Sequence, residues 1–205
     1  MIIAVDGPAA SGKGTIAKAL SRHYGLPHLD TGLLYRAVGI ATVRMGGNPD
    51  DPGDAFKATG FHDALLDDPE LRSEAAGGYA SQVSVHPEVR SALLARQRQF
   101  ATQPGGAILD GRDIGTVIAP DADAKLFVTA RPDVRADRRH RDAMGIDYAT
   151  ILADIQERDA RDSARSAAPL VRAADADLLD TSDLTIDAAV QRAIALVDAR
   201  TRDSL

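Results

Sequence analysis

The chain has 205 residues, of which 44% are hydrophobic and 26% charged, so it can form one globular domain with a sizeable core. It contains no cysteine, which excludes disulfides and thiolate metal sites, and its net charge of −6 argues against a general nucleic-acid binder. No apolar run approaches membrane-spanning length and no leader precedes the first apolar run. We therefore expect a cytoplasmic monomer that binds neither nucleic acid nor membrane.

The first 24 residues have the pattern strand, glycine loop, helix. The apolar run 2–5 predicts a strand, and residues 14–24 predict a helix with Ile16, Leu20 and Tyr24 on one face. Between them, the spacing Gly7-x-x-x-x-Gly12-Lys13 is that of a phosphate-binding P-loop. Glycines let successive N–H groups point at an anion, and the helix dipole and the lysine add positive charge. The next hydroxyl comes one residue later than usual, at Thr15, which can bind phosphate or a water on Mg²⁺.

The next stretch predicts a short strand at 28–29 and a helix that buries Leu34, Val38, Ala41 and Met45. A Gly-Gly-Asn-Pro sequence at 46–49 ends this helix. Residues 48–78 form a candidate insertion of short helical pieces, with Gly77-Gly78 as one of its breaks. Pro87 begins another helix, which extends to about residue 99.

The second half repeats the alternation of short apolar strands and helices. Strands are predicted at 107–109, 125–128 and 178–179, and helices after Pro132, over 148–165 and after a cap at Thr185. This order predicts a parallel sheet covered by helices on both faces, with ligands at the carboxyl ends of the strands. The segments expected at that edge are the loop after Val5, Asp30-Thr31, residues 110–113 and the segment after Val128.

Three groups of residues have the chemistry of a phosphate site. Asp110 ends a hydrophobic strand, as the Mg²⁺-associated carboxylate of P-loop enzymes does, although an Asp-Gly turn with a surface ion pair explains it as well. Arg36 can reach a phosphate, and Tyr35 can contact a base. The alternative is that Arg36 is a solvated surface charge and that Tyr35 packs in the core. Helical spacing places the third group on one helix face that could close over phosphates or be solvated surface: Arg158, Arg161, Asp162 and Arg165.

These motifs together resemble bacterial cytidylate kinases, which are P-loop nucleoside monophosphate kinases. The resemblance rests on the P-loop 5–15 and on segments spread over almost the whole chain in order, namely 29–36, 80–83, 87–90, 110–117, 157–162, 168–170 and 173–176. The region from residue 48 to about 71 departs from the family pattern, because it is shorter than the usual insertion and lacks its alternating strands.

The resemblance assigns roles to individual residues. It implies that the ATP phosphates are bound by Gly7, Pro8, Ala9, Ala10, Ser11, Gly12, Lys13, Gly14 and Thr15. It implies that CMP is bound by Thr31, Tyr35, Arg36, Ser81, Arg90, Arg112, Asp113, Arg158, Asp162 and Arg165. The catalytic residues would be Lys13, Arg112, Asp113, Arg158 and Arg161. Mg²⁺ would accompany ATP, near Thr15 and Asp110.

The fold implied is an α/β three-layer P-loop kinase fold with a five-stranded parallel sheet, helices on both faces, a shortened monophosphate-binding insertion and a short lid. We expect one kinase domain over 1–205, with a monophosphate-binding region at 46–100 and a lid at 141–166. The expected reaction is ATP-dependent, in-line phosphorylation of CMP and dCMP to CDP and dCDP. The alternative is a P-loop kinase for another nucleoside monophosphate or small metabolite. A nucleotide-dependent switch is disfavoured, because none of the four lysines lies in a guanine-binding motif.

Overall fold

The computed structural model describes residues 1–142 and 145–202. The strands are Ile2–Asp6 (β1), His28–Asp30 (β2), Ala107–Gly111 (β3), Ala124–Thr129 (β4) and Asp177–Asp180 (β5). The α-helices are Lys13–Tyr24 (α1), Thr31–Arg44 (α2), Pro52–Lys57 (α3), Glu74–Val83 (α4), Pro87–Ala101 (α5), Pro132–Asp142 (α6), Tyr148–Ala164 (α7) and Ile186–Arg202 (α8). Within the described residues, no helix combines the length and the apolar character needed to cross a membrane.

The sheet has the strand order β2-β3-β1-β4-β5. Strand β1 is central and runs parallel to β3 on one side and to β4 on the other, and β4 runs parallel to β5. The last residue of β1, Asp6, is in register with Gly111 of β3 and Phe127 of β4, so these three strands end at the same edge. The predicted five-stranded parallel sheet of an α/β protein is confirmed.

The chain divides into two compact units, Met1–Leu29 with Phe100–Leu205, and Asp30–Gln99. In the first unit, apolar side chains of β1, β3 and β4 pack against helices α1 and α8. The predicted face of α1 is part of this core, since Ile16 and Leu20 are buried and Tyr24 packs beside them. The predicted cap of α8 is also present, because the Thr185 hydroxyl accepts a hydrogen bond from the Ala188 N–H at 3.2 Å.

In the second unit, α2 packs closely against α4. A Cβ at Gly39 would lie 2.6 Å from the Cβ of Tyr79, so glycine is required where these two helices cross. Between α3 and α4 the chain forms three short 3₁₀ turns, Ala58–Gly60, Asp63–Asp67 and Pro69–Arg72, and no strand is present among residues 48–78. The predicted monophosphate-binding region 46–100 falls almost wholly in this unit, and its bounds stay a prediction. The predicted lid 141–166 includes residues 143 and 144, which lie outside the described residues.

Two details predicted for this unit are wrong. Gly77-Gly78 do not break the chain but lie inside α4, because the Ser73 hydroxyl accepts from the Ala76 N–H at 3.1 Å and caps the helix before them. Packing of α4 against α2 outweighs the weak helix propensity of glycine. Met45 is not part of a buried stripe: α2 ends at Arg44, and the Met45 side chain is 64% exposed just past the last turn.

Two adjacent glycines before β3 provide a stability test. Gly105 and Gly106 both have left-handed φ angles, 90° and 95°, but a Cβ at Gly106 would lie 2.0 Å from the Met1 carbonyl oxygen, whereas nothing lies within 4 Å at Gly105. Gly105→Ala should cost about 1–2 kcal/mol of stability through backbone strain alone. Gly106→Ala should cost at least about 2 kcal/mol more, because it also displaces the start of β1. Urea unfolding measures both, and equal losses would contradict this packing.

Candidate active site

The loop between β1 and α1 has the backbone conformation of an anion-binding turn. Gly12, which precedes α1, and Ala10 both have left-handed φ angles, 90° and 57°. Gly7 approaches β4 so closely that a Cβ there would lie 2.0 Å from the Val128 carbonyl oxygen. Lys13 is the first residue of α1, the first turn of α1 contains no acidic residue, and Thr15 is exposed on that turn. The loop therefore presents backbone N–H groups, a helix N-terminus and an ammonium group at one place.

The segment 110–113 follows β3, next to the loop in the sheet. Asp110 is buried, and its Oδ1 lies 2.7 Å from the Nε2 of His28, which is also largely buried. A Cβ at Gly14 would lie 3.7 Å from the other oxygen of Asp110, so this carboxylate faces the start of α1. Asp110 and Gly111 belong to β3, so an isolated Asp-Gly turn does not describe the segment.

A buried cluster joins this segment to α7. The Asp162 carboxylate accepts a hydrogen bond from Arg112 Nε at 2.8 Å and pairs on its other oxygen with Arg165. Burial raises the pKa of Asp162, but the charges of Arg112 and Arg165 outweigh this effect and the net pKa is lowered. Asp162 is therefore ionised at neutral pH and fixes two arginines that the family resemblance assigns to CMP.

The other two arginines of α7 are paired with carboxylates of their own helix. Arg158 is 8% exposed, and its Nε lies 3.1 Å from an oxygen of Asp154. Arg161 pairs with Glu157 on a more exposed part of the helix. This helix face is therefore not bare positive charge. Arg158 and Asp162 are buried, so the face is not a fully solvated surface either.

Two of the predicted site residues in the second unit are in contact with each other. Tyr35 of α2 is 8% exposed, and the guanidinium carbon of Arg90 on α5 lies 5.5 Å from the centre of its ring. Ser81 of α4 and Thr31 at the start of α2 are also buried. Tyr35 therefore packs inside this unit, and its predicted contact with a base stays a prediction.

Arg36 has a structural role that the sequence did not reveal. Its Nη1 donates to the carbonyl oxygens of Leu71 and Ser73, at 2.8 and 3.1 Å. These bonds hold the chain just before α4 against α2. Arg36 is thus not a freely solvated charge, whatever it binds in addition.

Sequence reasoning missed Asp6, the last residue of β1. It is 5% exposed, and its two carboxylate oxygens accept from the N–H groups of Ile114 and Gly115, each at 2.8 Å. These bonds fix the turn that follows Arg112 and Asp113. Burial raises the pKa of Asp6 to about 6, with a smaller contribution from the charge of Asp113, despite the two N–H bonds and Lys13. An acidic residue directly after an apolar strand was the signal that could have found it.

A cavity of about 550 Å³ lies beside the loop, within the first unit. Its walls include Ser11, Gly12 and Thr15 on one side and Arg138, Thr181, Leu184 and Ile186 on the other. Arg138 donates to the hydroxyl and carbonyl oxygens of Thr181, and the Thr181 hydroxyl donates to the Ser11 carbonyl at 3.0 Å. The sequence does not single out Arg138, because several arginines lie close together on the same helix.

The sheet order, the loop and the arginine cluster define a phosphotransferase of the P-loop kinase class. Two solved structures share the fold. A gluconokinase from Sinorhizobium meliloti 1021 has a TM-score of 0.58 and 14% sequence identity, and the match covers 99% of this chain and 94% of that one. An uncharacterized protein from Eubacterium ventriosum ATCC 27560 has a TM-score of 0.60 and 17% sequence identity, and the match covers 97% of this chain and 98% of that one.

The chain belongs to the cytidylate kinase family, whose model matches residues 3–199. It is 58% identical to the cytidylate kinase of Xanthobacter autotrophicus, over 98% of both chains. It is 55% identical to the cytidylate kinase of Rhodopseudomonas palustris strain HaA2, over 97% of this chain and 96% of the relative. It is 54% identical to the cytidylate kinase of Caulobacter vibrioides, over 100% of this chain and 99% of the relative. The predicted resemblance is confirmed.

The raised pKa of Asp6 makes the stability depend on pH in a specific direction. Between its ordinary value of 3.8 and about 6, the folded protein keeps a proton that the unfolded chain has released, so stability falls as pH rises. The Asp6→Asn variant lacks this titration. The stability of the wild type relative to the variant should therefore drop by about 2–3 kcal/mol from pH 4 to pH 7. Urea unfolding across this range measures the difference, and parallel pH curves would contradict the assignment.

Proposed function

We propose that the protein transfers the terminal phosphoryl group of ATP to CMP or dCMP and releases CDP or dCDP. The observation that carries this proposal is the P-loop with Lys13 at the first residue of α1, in a chain of the cytidylate kinase family. A kinase for another nucleoside monophosphate or metabolite is not favoured, because the family model covers almost the whole chain. Since both substrates are small molecules of the cell interior and one chain supplies all the site residues named here, we expect a cytoplasmic enzyme that works as a monomer.

We assign the ATP phosphates to the loop 7–15. The inward N–H groups and Lys13 bind the β- and γ-phosphates, and the adenosine enters the adjacent cavity between Arg138 and the apolar side chains of Leu184 and Ile186. The Thr15 hydroxyl and the Asp110 carboxylate offer the oxygen ligands that Mg²⁺ prefers. Among the described residues no group of three or more histidine, aspartate or glutamate side chains could hold a metal ion. Mg²⁺ that accompanies ATP neutralises charge on its phosphates.

We assign the acceptor to the remaining site residues. Arg112, Arg158 and Arg165 supply positive charge for the phosphate of CMP, and Asp162, ionised between its two arginines, accepts hydrogen bonds from the sugar hydroxyls. The family resemblance also assigns residues of the second unit to CMP, and these roles stay predictions: Thr31, Tyr35, Arg36, Ser81 and Arg90. Asp113 orients the nucleotide beside Arg112.

The chemistry requires neutralised charge rather than a strong base. The phosphate of the acceptor has a second pKa near 6, so its attacking oxygen is already largely deprotonated at neutral pH. Two anionic phosphates must approach in line, and the transferred group spreads negative charge over its three oxygens. Lys13 stabilises that charge from the donor side. Arg158 and Arg161 stabilise it from α7, which is the helix of the predicted lid and is called the lid helix below.

The direct test is a coupled assay with ATP and Mg²⁺ against CMP, dCMP, UMP, AMP and shikimate. CMP and dCMP should be the best acceptors, and UMP turnover will show how well the short insertion discriminates between bases. A preference for AMP or shikimate would reject the assignment in favour of another P-loop kinase.

The first variant tests the donor side. Lys13→Ala removes the ammonium group from the loop. This should lower kcat by about 10²–10³-fold, because the ammonium group stabilises charge on the transferred phosphoryl group. Lys18→Ala, on the exposed face of the same helix, is the control and should stay near wild type. Comparable turnover of the two folded variants would remove Lys13 from the mechanism.

The second variant tests the acceptor side. Arg112→Ala should raise KM for CMP by about 10–100-fold, because a charge-assisted phosphate contact is lost. KM for dCMP should rise equally, since the phosphate is common to both, while KM for ATP changes little. Arg202→Ala, a 77% exposed side chain near the end of α8, is the control. A change confined to ATP would place Arg112 on the donor side.

A further inference from the structure

Arg135 of α6 uses its guanidinium to join three parts of the first unit. The residue is 2% exposed. Its Nε donates to the Ala130 carbonyl just after β4 at 2.9 Å, and its Nη1 donates both to the Ala9 carbonyl of the P-loop at 3.1 Å and to Asp159 Oδ1 at 3.0 Å. Its Nη2 pairs with the second oxygen of Asp159. These bonds use four of the five N–H donors of an arginine.

The contact with Ala9 determines how one peptide of the P-loop is oriented. A trans peptide is planar, so its carbonyl and the N–H of the next residue point in opposite directions. When Arg135 binds the Ala9 carbonyl, the Ala10 N–H is therefore directed to the other side of the loop. Ala10 has a left-handed φ of 57°, which costs about 1–2 kcal/mol for a residue with a side chain and needs support from its surroundings.

The contact with Asp159 ties the same guanidinium to the lid helix. Asp159 lies on α7 between Arg158 and Arg161, the two arginines assigned to the transferred phosphoryl group. The Arg135 side chain is 3% exposed and that of Asp159 is 28% exposed, so the pair is largely shielded from water. Removal of the carboxylate would leave a buried arginine without its counter-charge, which is costly. A second pair, Arg139–Asp154, joins the same two helices further along.

We propose that Arg135 is a positioning residue for phosphoryl transfer, which fixes the Ala9–Ala10 peptide of the phosphate loop and the lid helix α7 in one arrangement. Arg135 itself does not touch the substrates. Its effect is to hold the donor phosphates and the lid arginines in mutual register, where a displacement of about 1 Å can cost 10²-fold in rate. The proposal rests on the function assigned above.

The test compares two isosteric substitutions. Asp159→Asn removes the carboxylate charge that faces Arg135. Asp177→Asn removes the carboxylate of another two-bond pair, in which Arg200 contacts Asp177 at 2.8 and 2.9 Å. Asp177 begins β5, at the edge of the sheet opposite the phosphate loop, and its side chain is about as exposed as that of Asp159, 24% against 28%, so this variant controls for the loss of such a carboxylate. The readouts are kcat, KM for ATP and CMP, and thermal stability.

Asp159→Asn should lower kcat by about 10–100-fold with KM for ATP within about 3-fold of wild type, because the lid helix loses its position while the loop keeps its bond from Arg135. Asp177→Asn should keep kcat within about 2-fold. Arg135→Lys should lower kcat and also raise KM for ATP, because it releases the loop as well, and adding Asp159→Asn to it should cause little further loss.

The outcomes separate this proposal from the proposed function. A wild-type enzyme that fails to phosphorylate CMP overturns the function itself. The positioning role is overturned if the wild type is active and the Asp159→Asn variant loses thermal stability but keeps its kcat. The Arg135–Asp159 pair would then be structural only. If Arg135→Lys does not fold, the comparison of Asp159→Asn with Asp177→Asn still decides.

Discussion

The parallel pairing of β1 with both β3 and β4 is the constraint on which the site of the first unit depends. Asp6 is in register with Gly111 and Phe127, so the phosphate loop leaves the sheet between the segment 110–113 and the chain that leads into α6. The Gly7 backbone approaches the Val128 carbonyl too closely for any Cβ, which fixes the first turn of the loop. The loop, the Arg112 segment and the α6–α7 pair thus take their positions from one central strand.

The arginines of the first unit are organised by carboxylates rather than left as bare charge. Arg112 and Arg165 converge on Asp162, Arg158 pairs with Asp154, and Arg135 pairs with Asp159. A guanidinium removed from water needs a counter-charge, and each of these carboxylates provides one before any phosphate arrives. They also fix the direction of the planar guanidinium groups.

The sequence was most informative where structure depends on neighbouring residues. The Gly7 to Lys13 spacing, the Ile16 and Leu20 face and the Thr185 cap are local patterns, and the structure reproduces them. Tertiary contacts overrode local signals at Gly77-Gly78, where packing on α2 maintains a helix. Contacts between distant residues left no local trace: Arg112 meets Asp162 across 50 positions, and Arg135 meets Ala9 across 126. The spacing on α7 could indicate a charged face but not which arginines are buried.

Asp6 shows how the site sets a limit on stability. Its pKa of about 6 means that burial destabilises the ionised carboxylate more than the two backbone hydrogen bonds and the charge of Lys13 stabilise it. A neutral residue would avoid that cost in the folded state. The carboxylate nevertheless accepts from both the Ile114 and Gly115 N–H groups, which an asparagine side chain with one carbonyl oxygen could not do. The two bonds fix the turn directly after Arg112 and Asp113, the residues proposed to bind the acceptor, so this carboxylate lowers stability but orders that turn.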